Sequence, residues 1–228
     1  MNIIVTGAGR GIGLELTKQL VQAGHRVFAT RRNPADTTEL MTLMMDNTDL
    51  LSLHTLEVTK NSSCKAFSED LGNETIDVLI NNAGILDTYE STIDTMDLDS
   101  FAEVLEVNTL GPLRVMQTLM LHLRRSHSPM VLNISSRMGS FAHSEIGANA
   151  YRTSKAALNK AMSVVANELK AEKIRVINAH PGWVRTDMGG QNAAIDVAES
   201  ATGLIKLLEK GLEDSGKFFN YSGEELAW

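Results

Sequence analysis

Tyr151 and Lys155 are the two residues of this sequence whose types and spacing most directly suggest chemistry. They lie in a segment over residues 150–172 that is rich in Ala and contains no Pro, a composition that predicts a helix. Residues four apart on a helix lie one turn apart on the same face, so the Lys155 ammonium is expected within reach of the Tyr151 phenol. A phenol has an ordinary pKa of about 10, and a neighbouring cation favours its ionised form. The pair therefore predicts a tyrosine that transfers a proton, although the same spacing also occurs on ordinary helix surfaces.

A glycine-rich turn near the start of the chain could hold the phosphates of a nucleotide. The sequence from Thr6 to Gly13 is TGAGRGIG; it follows the apolar segment Ile3–Val5 and precedes leucines at helical spacing. Glycines permit a tight turn and let the backbone approach a pyrophosphate at the positive amino end of the helix. Strand, glycine turn and helix in this order predict a dinucleotide site; the alternative is a turn that binds nothing.

The end of the second predicted strand, residues 26–30, indicates which dinucleotide is bound. A site for NAD usually has a carboxylate there for the ribose 2′-hydroxyl, about 20 residues past the glycines. This chain instead has Thr30, Arg31 and Arg32. Guanidinium groups match phosphate geometry, and Arg10 in the glycine turn could join them on a 2′-phosphate. We therefore predict NADP, with NAD as the alternative. If Arg31 and Arg32 are only solvated surface residues, they do not indicate which cofactor is bound.

Strands and helices are predicted to alternate along the chain, which indicates right-handed crossovers and one α/β domain over residues 1–228. The expected fold is a doubly wound, mostly parallel sheet of about seven strands with helices on both faces. The predicted strands cover residues 3–5, 26–30, 52–58, 76–80, 130–134, 175–179 and 217–220. The predicted helices cover residues 14–24, 36–47, 60–71, 99–123, 150–172 and 196–210. Pro112 is expected to kink the fourth helix, with the Asn108 amide satisfying a freed backbone group.

Composition narrows the class of protein. A net charge of −7 argues against a nucleic-acid groove, and no apolar run approaches the roughly 20 residues that span a bilayer. The first strand begins almost at once, which leaves no room for a signal peptide. Cys64 is the single cysteine, so an internal disulfide is excluded and a reducing compartment is expected. We expect a soluble cytoplasmic protein and assign no metal ligands.

Taken together, the motifs resemble those of the short-chain dehydrogenase/reductase family along nearly the whole chain. Thr6 to Gly13 matches its TGxxxGxG turn, Asn81 to Gly84 matches NNAG, and Pro181-Gly182 with Thr186 matches the segment that holds the nicotinamide carboxamide. The family's catalytic tetrad is matched by Asn108, Ser136, Tyr151 and Lys155. The segments SSRMG and AYRTSKAALN, with the ending at Trp228, look most like the branch of C-factor and sniffer-type carbonyl reductases.

The resemblance implies a Rossmann fold and a role for each member of the tetrad. Tyr151 would give a proton to a carbonyl oxygen or remove it from an alcohol, and Lys155 would lower the Tyr151 pKa and bind the nicotinamide ribose. Ser136 would hydrogen-bond the substrate oxygen, and Asn108 would hold a water in a proton relay. Ser135 remains a rival to Ser136. The implied cofactor-binding residues are Thr6, Gly7, Arg10, Gly11, Ile12, Gly13, Arg31, Arg32, Glu57, Val58, Asn82, Ala83, Gly84, Tyr151, Lys155, Pro181, Gly182, Val184 and Thr186.

Other features of the sequence leave alternatives open. Glu57 stands where the family commonly has an Asp that meets the adenine amino group. His180 is expected to be structural, and His143 to be a solvated loop residue. The expected substrate is a hydrophobic carbonyl or alcohol, because the predicted walls are mostly apolar. These wall residues are Ile85, Leu86, Met138, Phe141, Ile146, Trp183 and Met188.

Two further expectations concern turnover and assembly. The competing hypothesis is a nucleotide-sensing or signalling protein that binds the cofactor with little turnover, which the intact tetrad disfavours. A homo-oligomer, dimer or tetramer, is expected from the family, through the helices around residues 99–123 and 151–172.

Overall fold

The central element of the protein is a seven-stranded sheet in which every neighbouring pair of strands is parallel. The computed structural model describes residues 1–33, 35, 38–86, 92–143 and 145–228. Its strands are β1 (Asn2–Val5), β2 (Arg26–Arg31), β3 (Leu51–Thr55), β4 (Val78–Asn81), β5 (Met130–Ile134), β6 (Arg175–His180) and β7 (Phe218–Asn220). The order across the sheet is β3-β2-β1-β4-β5-β6-β7. The prediction of a doubly wound sheet is confirmed, and the pairing is parallel throughout.

Helices cover both faces of this sheet. They are α1 (Gly11–Gln22), α2 (Thr38–Asp46), α3 (Asn61–Leu71), α4 (Leu98–Leu105), α5 (Gly111–Leu123), α6 (Asn149–Glu168) and α7 (Val197–Lys206). The expected third strand over 52–58 ends at Thr55, and the residues after it form a loop at the sheet edge. Residues 36 and 37 of the second predicted helix lie outside the described residues. The helix expected over 150–172 becomes a 3₁₀ turn from Leu169 onward, and that expected over 196–210 becomes one from Leu207.

The alternation of side chains along each strand divides the core into two layers. On β1, Ile3 contributes to the cluster that contains Leu16 of α1, whereas Ile4 faces the cluster that contains Leu119 and Leu158. Successive strand residues point to opposite faces, so a strand covered on both sides is apolar throughout. This is why β1 and β4 have continuous apolar runs. No helix in the described part of the chain is both long and apolar enough to cross a membrane.

The long predicted helix is interrupted beside Pro112, where a break was predicted. A π-helical turn, Glu106–Leu110, joins α4 to α5. Pro112 lies in the first turn of α5, directly after the π turn. The prediction that Asn108 satisfies a freed group of its own helix is wrong, because its amide bonds the backbone of Ile85. Single π turns occur frequently at functional sites.

The strand order reverses direction beside β1, since β2 and β3 extend to one side and β4 to the other. Ligands of open parallel sheets bind beyond the carboxyl ends of the strands at such a switch point. The amino end of α1 and the Asn81–Gly84 segment after β4 both lie there. The fold therefore directs attention to this edge of the sheet.

Candidate active site

The glycine turn packs against the Asn81–Gly84 segment so closely that side chains are excluded. A Cβ atom at Gly13 would collide with the carbonyl oxygen of Gly7 and with the Asn82 amide. At Gly7, where φ is +67°, a Cβ atom would lie 2.9 Å from Cα of Ala83. The Asn82 Nδ2 atom donates to the carbonyl oxygens of Thr6, at 2.9 Å, and Gly7, at 3.1 Å. The result is a rigid surface of backbone at the amino end of α1.

Thr6 supports this turn from beneath instead of facing the cleft. It is 1% exposed, and its Oγ1 atom accepts hydrogen bonds from the N–H groups of Asn82 and Ala83, both at 3.0 Å. Thr6 was predicted to bind cofactor, whereas in the structure it ties the first loop to the fourth strand. Its contribution to binding is therefore indirect.

A cleft of about 280 Å³ runs along the carboxyl edge of the sheet and gathers residues from most of the predicted motifs. Four predicted cofactor-binding residues do not line it: Thr6, Arg31, Gly182 and Val184. The cleft is lined by Gly7, Arg10, Gly11, Ile12, Gly13, Arg32, Leu56, Glu57, Val58, Asn82, Ala83, Gly84, Ile85, Val107, Ile134, Tyr151, Lys155, Pro181, Thr186, Asp187 and Met188.

The structure separates the three arginines that were predicted to act together. Arg32 is exposed and lines the cleft, whereas Arg31 is the last residue of β2 and does not line it. Neighbouring residues of an extended chain point to opposite faces, which accounts for the difference. Arg10 lies in the cleft and forms an ion pair with Asp187, with an Nη1–Oδ2 distance of 2.9 Å. Both side chains of this pair are 79% exposed.

Glu57 and Val58 lie in the loop that follows β3 and line the cleft. The Thr59 hydroxyl donates to the Glu57 carboxylate at 2.9 Å, and the Glu57 N–H donates to the Ser63 hydroxyl at 2.9 Å. These bonds fix both the backbone and the side chain of Glu57. A carboxylate held at this place can accept a hydrogen bond from a ligand.

Tyr151 and Lys155 line the cleft, and Ser136, which does not line it, lies directly beside Tyr151. The Ser136 side chain hydrogen-bonds the Tyr151 phenol, and Ser136 is 5% exposed. Lys155 is 4% exposed; its Nζ atom donates to the Ile134 carbonyl oxygen at 2.8 Å and lies 5.5 Å from the centre of the Tyr151 ring. The Ser135 hydroxyl instead donates to Asn159 Oδ1 at 2.6 Å, so Ser136 is the serine beside the tyrosine.

Burial determines the pKa values of the two ionisable groups. It raises the pKa of Tyr151 to about 12, although the hydrogen bond from Ser136 acts in the opposite direction. Burial also lowers the pKa of Lys155 to about 8. The predicted lowering of the Tyr151 pKa is therefore not what this structure has, because loss of solvation raises that pKa. Near pH 7 the pair is mainly phenol and ammonium.

Asn108 lies behind the cleft in the π turn and is fully buried. Its Oδ1 atom accepts from the N–H of Ile85, and its Nδ2 atom donates to the carbonyl of Ile85, both at 2.8 Å. Nδ2 also donates to the Ser154 hydroxyl at 3.1 Å. A Cβ atom at Gly84 would lie 3.2 Å from Asn108 Oδ1 and 3.7 Å from Lys155 Nζ. Asn108 therefore connects the segment after β4 with α6, next to the residue that precedes Lys155.

The two histidines near the site differ in environment. His180 ends β6, and its Nδ1 atom is buried with no hydrogen-bond partner. Burial, with smaller contributions from the charges of Arg137 and His143, lowers the pKa of His180 to about 4. His180 is therefore neutral at pH 7. His143 is half-buried in the loop before α6, 3.6 Å from the Glu145 carboxylate.

The predicted apolar walls are only partly assembled around the cleft. Ile85 and Met188 line it, whereas Phe141, Ile146 and Trp183 are 86%, 92% and 56% exposed. Reasoning from the sequence did not single out four lining residues: Leu56, Val107, Ile134 and Asp187. Ile134 directly precedes Ser135, and Leu56 directly precedes Glu57. Their position at the ends of predicted strands could have identified them as lining residues. Val107 depends on the π turn, which has no sequence signal.

A parallel sheet with a glycine turn at its switch point defines a Rossmann-type α/β protein with a dinucleotide-type cleft. A family model described as short chain dehydrogenase matches residues 1–195, and the chain belongs to this family. The family prediction is thereby confirmed, and members of the family are oxidoreductases.

Individual relatives agree with the predicted branch. The C-signal protein of Myxococcus xanthus is 40% identical over 167 residues, which cover 72% of this chain and 99% of that protein. The carbonyl reductase Sniffer of D. melanogaster superposes with a TM-score of 0.95 at 29% identity, covering 100% of this chain and 99% of that one. An NADPH-bound carbonyl reductase from chicken fatty liver gives a TM-score of 0.93 at 35% identity, covering 100% and 98%.

Proposed function

We propose that this protein is an NADP(H)-dependent oxidoreductase that interconverts a carbonyl compound and an alcohol. The observation that carries the proposal is the placement of Tyr151 and Lys155 in a cleft whose other parts suit a dinucleotide, with Ser136 hydrogen-bonded to the Tyr151 phenol. Similar proteins named as carbonyl reductases, one of them with NADPH bound, support it.

The residues present fit the proposed cofactor. The glycine turn leaves backbone exposed where any Cβ atom would collide, and the positive amino end of α1 favours a pyrophosphate there. Arg32 and Arg10 in the cleft would pair with a 2′-phosphate, and Glu57 would accept a bond from the adenine amino group. Pro181 and Thr186 would border the nicotinamide. This assignment omits Arg31, which does not line the cleft.

Tyr151 and Ser136 would carry out the proton chemistry. When bound, the nicotinamide supplies or accepts the hydride. The Tyr151 phenol, whose pKa is raised to about 12, keeps its proton at pH 7 and can give it to a carbonyl oxygen as negative charge develops there. Ser136, already bonded to Tyr151, would hydrogen-bond the same oxygen and stabilise that charge. Positioned acid catalysis typically contributes a factor of about 10²–10⁴ in rate.

Lys155 would bind the nicotinamide ribose and place positive charge beside the phenol. Within the described residues its Nζ atom donates one hydrogen bond, to the Ile134 carbonyl oxygen, and an ammonium has three N–H donors. Asn108 would hold the segment at Ile85 in place; the water that it was expected to hold in a proton relay stays part of the proposal. We propose a hydrophobic substrate, since Ile85 and Met188 form part of the cleft wall.

The direct test is an activity screen with purified protein. We expect NADPH to be oxidised in the presence of at least one compound from a panel of hydrophobic aldehydes, ketones and diones. NADH should be used with a clearly lower kcat/KM. If NADPH binds but no carbonyl or alcohol in a broad panel is turned over, the proposal is wrong.

A second candidate function is supported by one specific observation. The relative from Myxococcus xanthus bears the name C-signal, which favours a signalling role for a protein of this type. The same activity screen separates the two functions: tight NADPH binding without turnover, unaffected by Tyr151→Phe, would favour signalling. The complete tetrad favours catalysis.

A further inference from the structure

Helix α7 contacts both sides of the cofactor cleft. On one side it packs against α1, the helix that follows the glycine turn. The Gln19 side chain of α1 donates to the Ala198 carbonyl at 3.0 Å and accepts from the Thr202 hydroxyl at 2.9 Å. On the other side, the Ser200 hydroxyl donates to the Pro181 carbonyl oxygen at 2.7 Å. The separation of the glycine turn from the Pro181–Gly182 turn therefore depends on α7.

The hydrogen bond from Ser200 fixes the orientation of a peptide group at the cleft wall. Ser200 is fully buried, and Pro181 lines the cleft. The C=O and N–H groups of a trans peptide point in opposite directions. When the Pro181 carbonyl is held toward α7, the Gly182 N–H is held away from it. A partly buried carbonyl that loses its donor is left without a hydrogen bond, so the peptide would reorient if the hydroxyl were removed.

Packing restricts the same turn from a second side. Gly182 has a φ of +89°, and a Cβ atom there would collide with Cδ1 of Ile195 and lie 3.2 Å from the Tyr221 ring. The segment that follows is bonded back on itself, since the N–H of Ile195 donates to the Trp183 carbonyl at 3.0 Å. Packing thus limits where the turn can move, and the Ser200 bond selects one peptide orientation within that space.

We propose that Ser200 is a positioning residue for cofactor binding: it holds the Pro181–Gly182 peptide against α7 and so sets the wall on which the nicotinamide end of the cofactor rests. This role rests on the proposed function, because it requires the dinucleotide to occupy this cleft. Ser200 itself does not line the cleft and acts through Pro181.

The test is the affinity for NADPH of a variant without the hydroxyl, measured by fluorescence titration. Ser200→Ala should raise the Kd for NADPH about tenfold and the KM in parallel, while kcat at saturating NADPH changes less than threefold. Ser200→Cys, which keeps the shape but donates weakly, should give an intermediate Kd. The control is Ser126→Ala, which removes a 2.6 Å hydrogen bond to Asp77 near the opposite edge of the sheet. It should lower the Tm and leave the Kd unchanged.

The outcomes are distinguishable. A Kd for Ser200→Ala within twofold of the wild-type value overturns the positioning role. If Ser200→Ala does not fold, Ser200→Cys decides, and a wild-type Kd for that variant overturns it equally. A rise in Kd of the same size in Ser126→Ala would show a general effect of stability and also overturn it. Wild-type protein that binds no NADPH contradicts the proposed function itself.

Discussion

At the scale of single residues, the site is governed by the burial of two groups that ionise in opposite senses. Lys155 is buried and Tyr151 is half-buried, and for each group the loss of solvation favours the neutral form. Their spacing in the sequence predicted that they face the same way. It could not predict the size of the desolvation, because that depends on distant segments, such as the strand end at Ile134 that accepts a bond from Lys155.

The lowered pKa of Lys155 predicts the pH dependence of cofactor use. The Lys155 ammonium is present at pH values below its pKa of about 8 and loses its proton at higher pH. Cofactor binding that needs the positive charge therefore weakens as the pH rises. The kcat/KM for NADPH, which reports the free enzyme, should be level up to about pH 8 and then fall. Lys155→Arg, whose guanidinium stays charged, should move the fall to higher pH. A fall at the same pH in both proteins would contradict the assignment.

At the scale of elements, the strands and the glycine turn were readable because each has a local pattern. Residues 130–134 form the predicted strand without adjustment, and β1 and the glycine turn lie where the TGxxxGxG motif placed them. The π turn that carries Asn108 and Val107 was not predictable, because a one-residue widening of a helix leaves no mark in hydropathy. The proposed role of Ser200 was equally unpredictable from the sequence, since it depends on a contact with Pro181, 19 residues away.

The end of β2 gives a prediction about cofactor specificity. Arg32 reaches the cleft and its neighbour Arg31 does not, as expected from the alternation of an extended chain. A hydrogen bond to a charged group contributes about 1.5–3 kcal/mol, so Arg32→Ala should raise the KM for NADPH roughly 10- to 100-fold and change that for NADH little. Arg31→Ala, which removes the same charge one residue earlier, is the matched control. Equal effects of the two substitutions would sink the idea that Arg32 recognises the 2′-phosphate.

At the scale of the whole molecule, strand–helix alternation was sufficient to predict the layered fold. It was not sufficient to predict which apolar side chains stay exposed on the surface. Within the described residues, Leu121 of α5 and Val164 of α6 are 67% and 54% exposed. They lie on the two helices through which a homo-oligomer was predicted. Assembly stays a prediction, since it depends on contacts between chains. The extent of a single domain over residues 1–228 also stays a prediction.

Global stability should depend on pH through His180. Its pKa is lowered to about 4 in the folded protein, against an ordinary value of about 6.5, so the unfolded chain takes up the proton first as pH falls. Stability that His180 contributes above pH 6.5 is therefore lost between about pH 6.5 and 4. At 1.36 kcal/mol per pKa unit the loss is about 3 kcal/mol as an upper value.

Replacement of His180 should remove this loss. In urea unfolding at pH 7 and pH 4.5, the difference in unfolding free energy should be smaller for His180→Asn than for the wild type by about 2–3 kcal/mol. His127→Asn is the control, because His127 is exposed. An identical pH dependence in wild type and His180→Asn would show that the ring is not held neutral by the fold.

The central claim is that Tyr151 transfers the proton in a reaction supported by a cofactor bound in the same cleft. The most direct measurement compares wild type and Tyr151→Phe in two assays, the rate of NADPH-dependent reduction of the best carbonyl substrate and the Kd for NADPH. We predict that kcat falls by a factor of about 10²–10⁴, because only the acid is removed, while the Kd changes less than threefold. A variant that keeps kcat within tenfold of wild type would contradict the account.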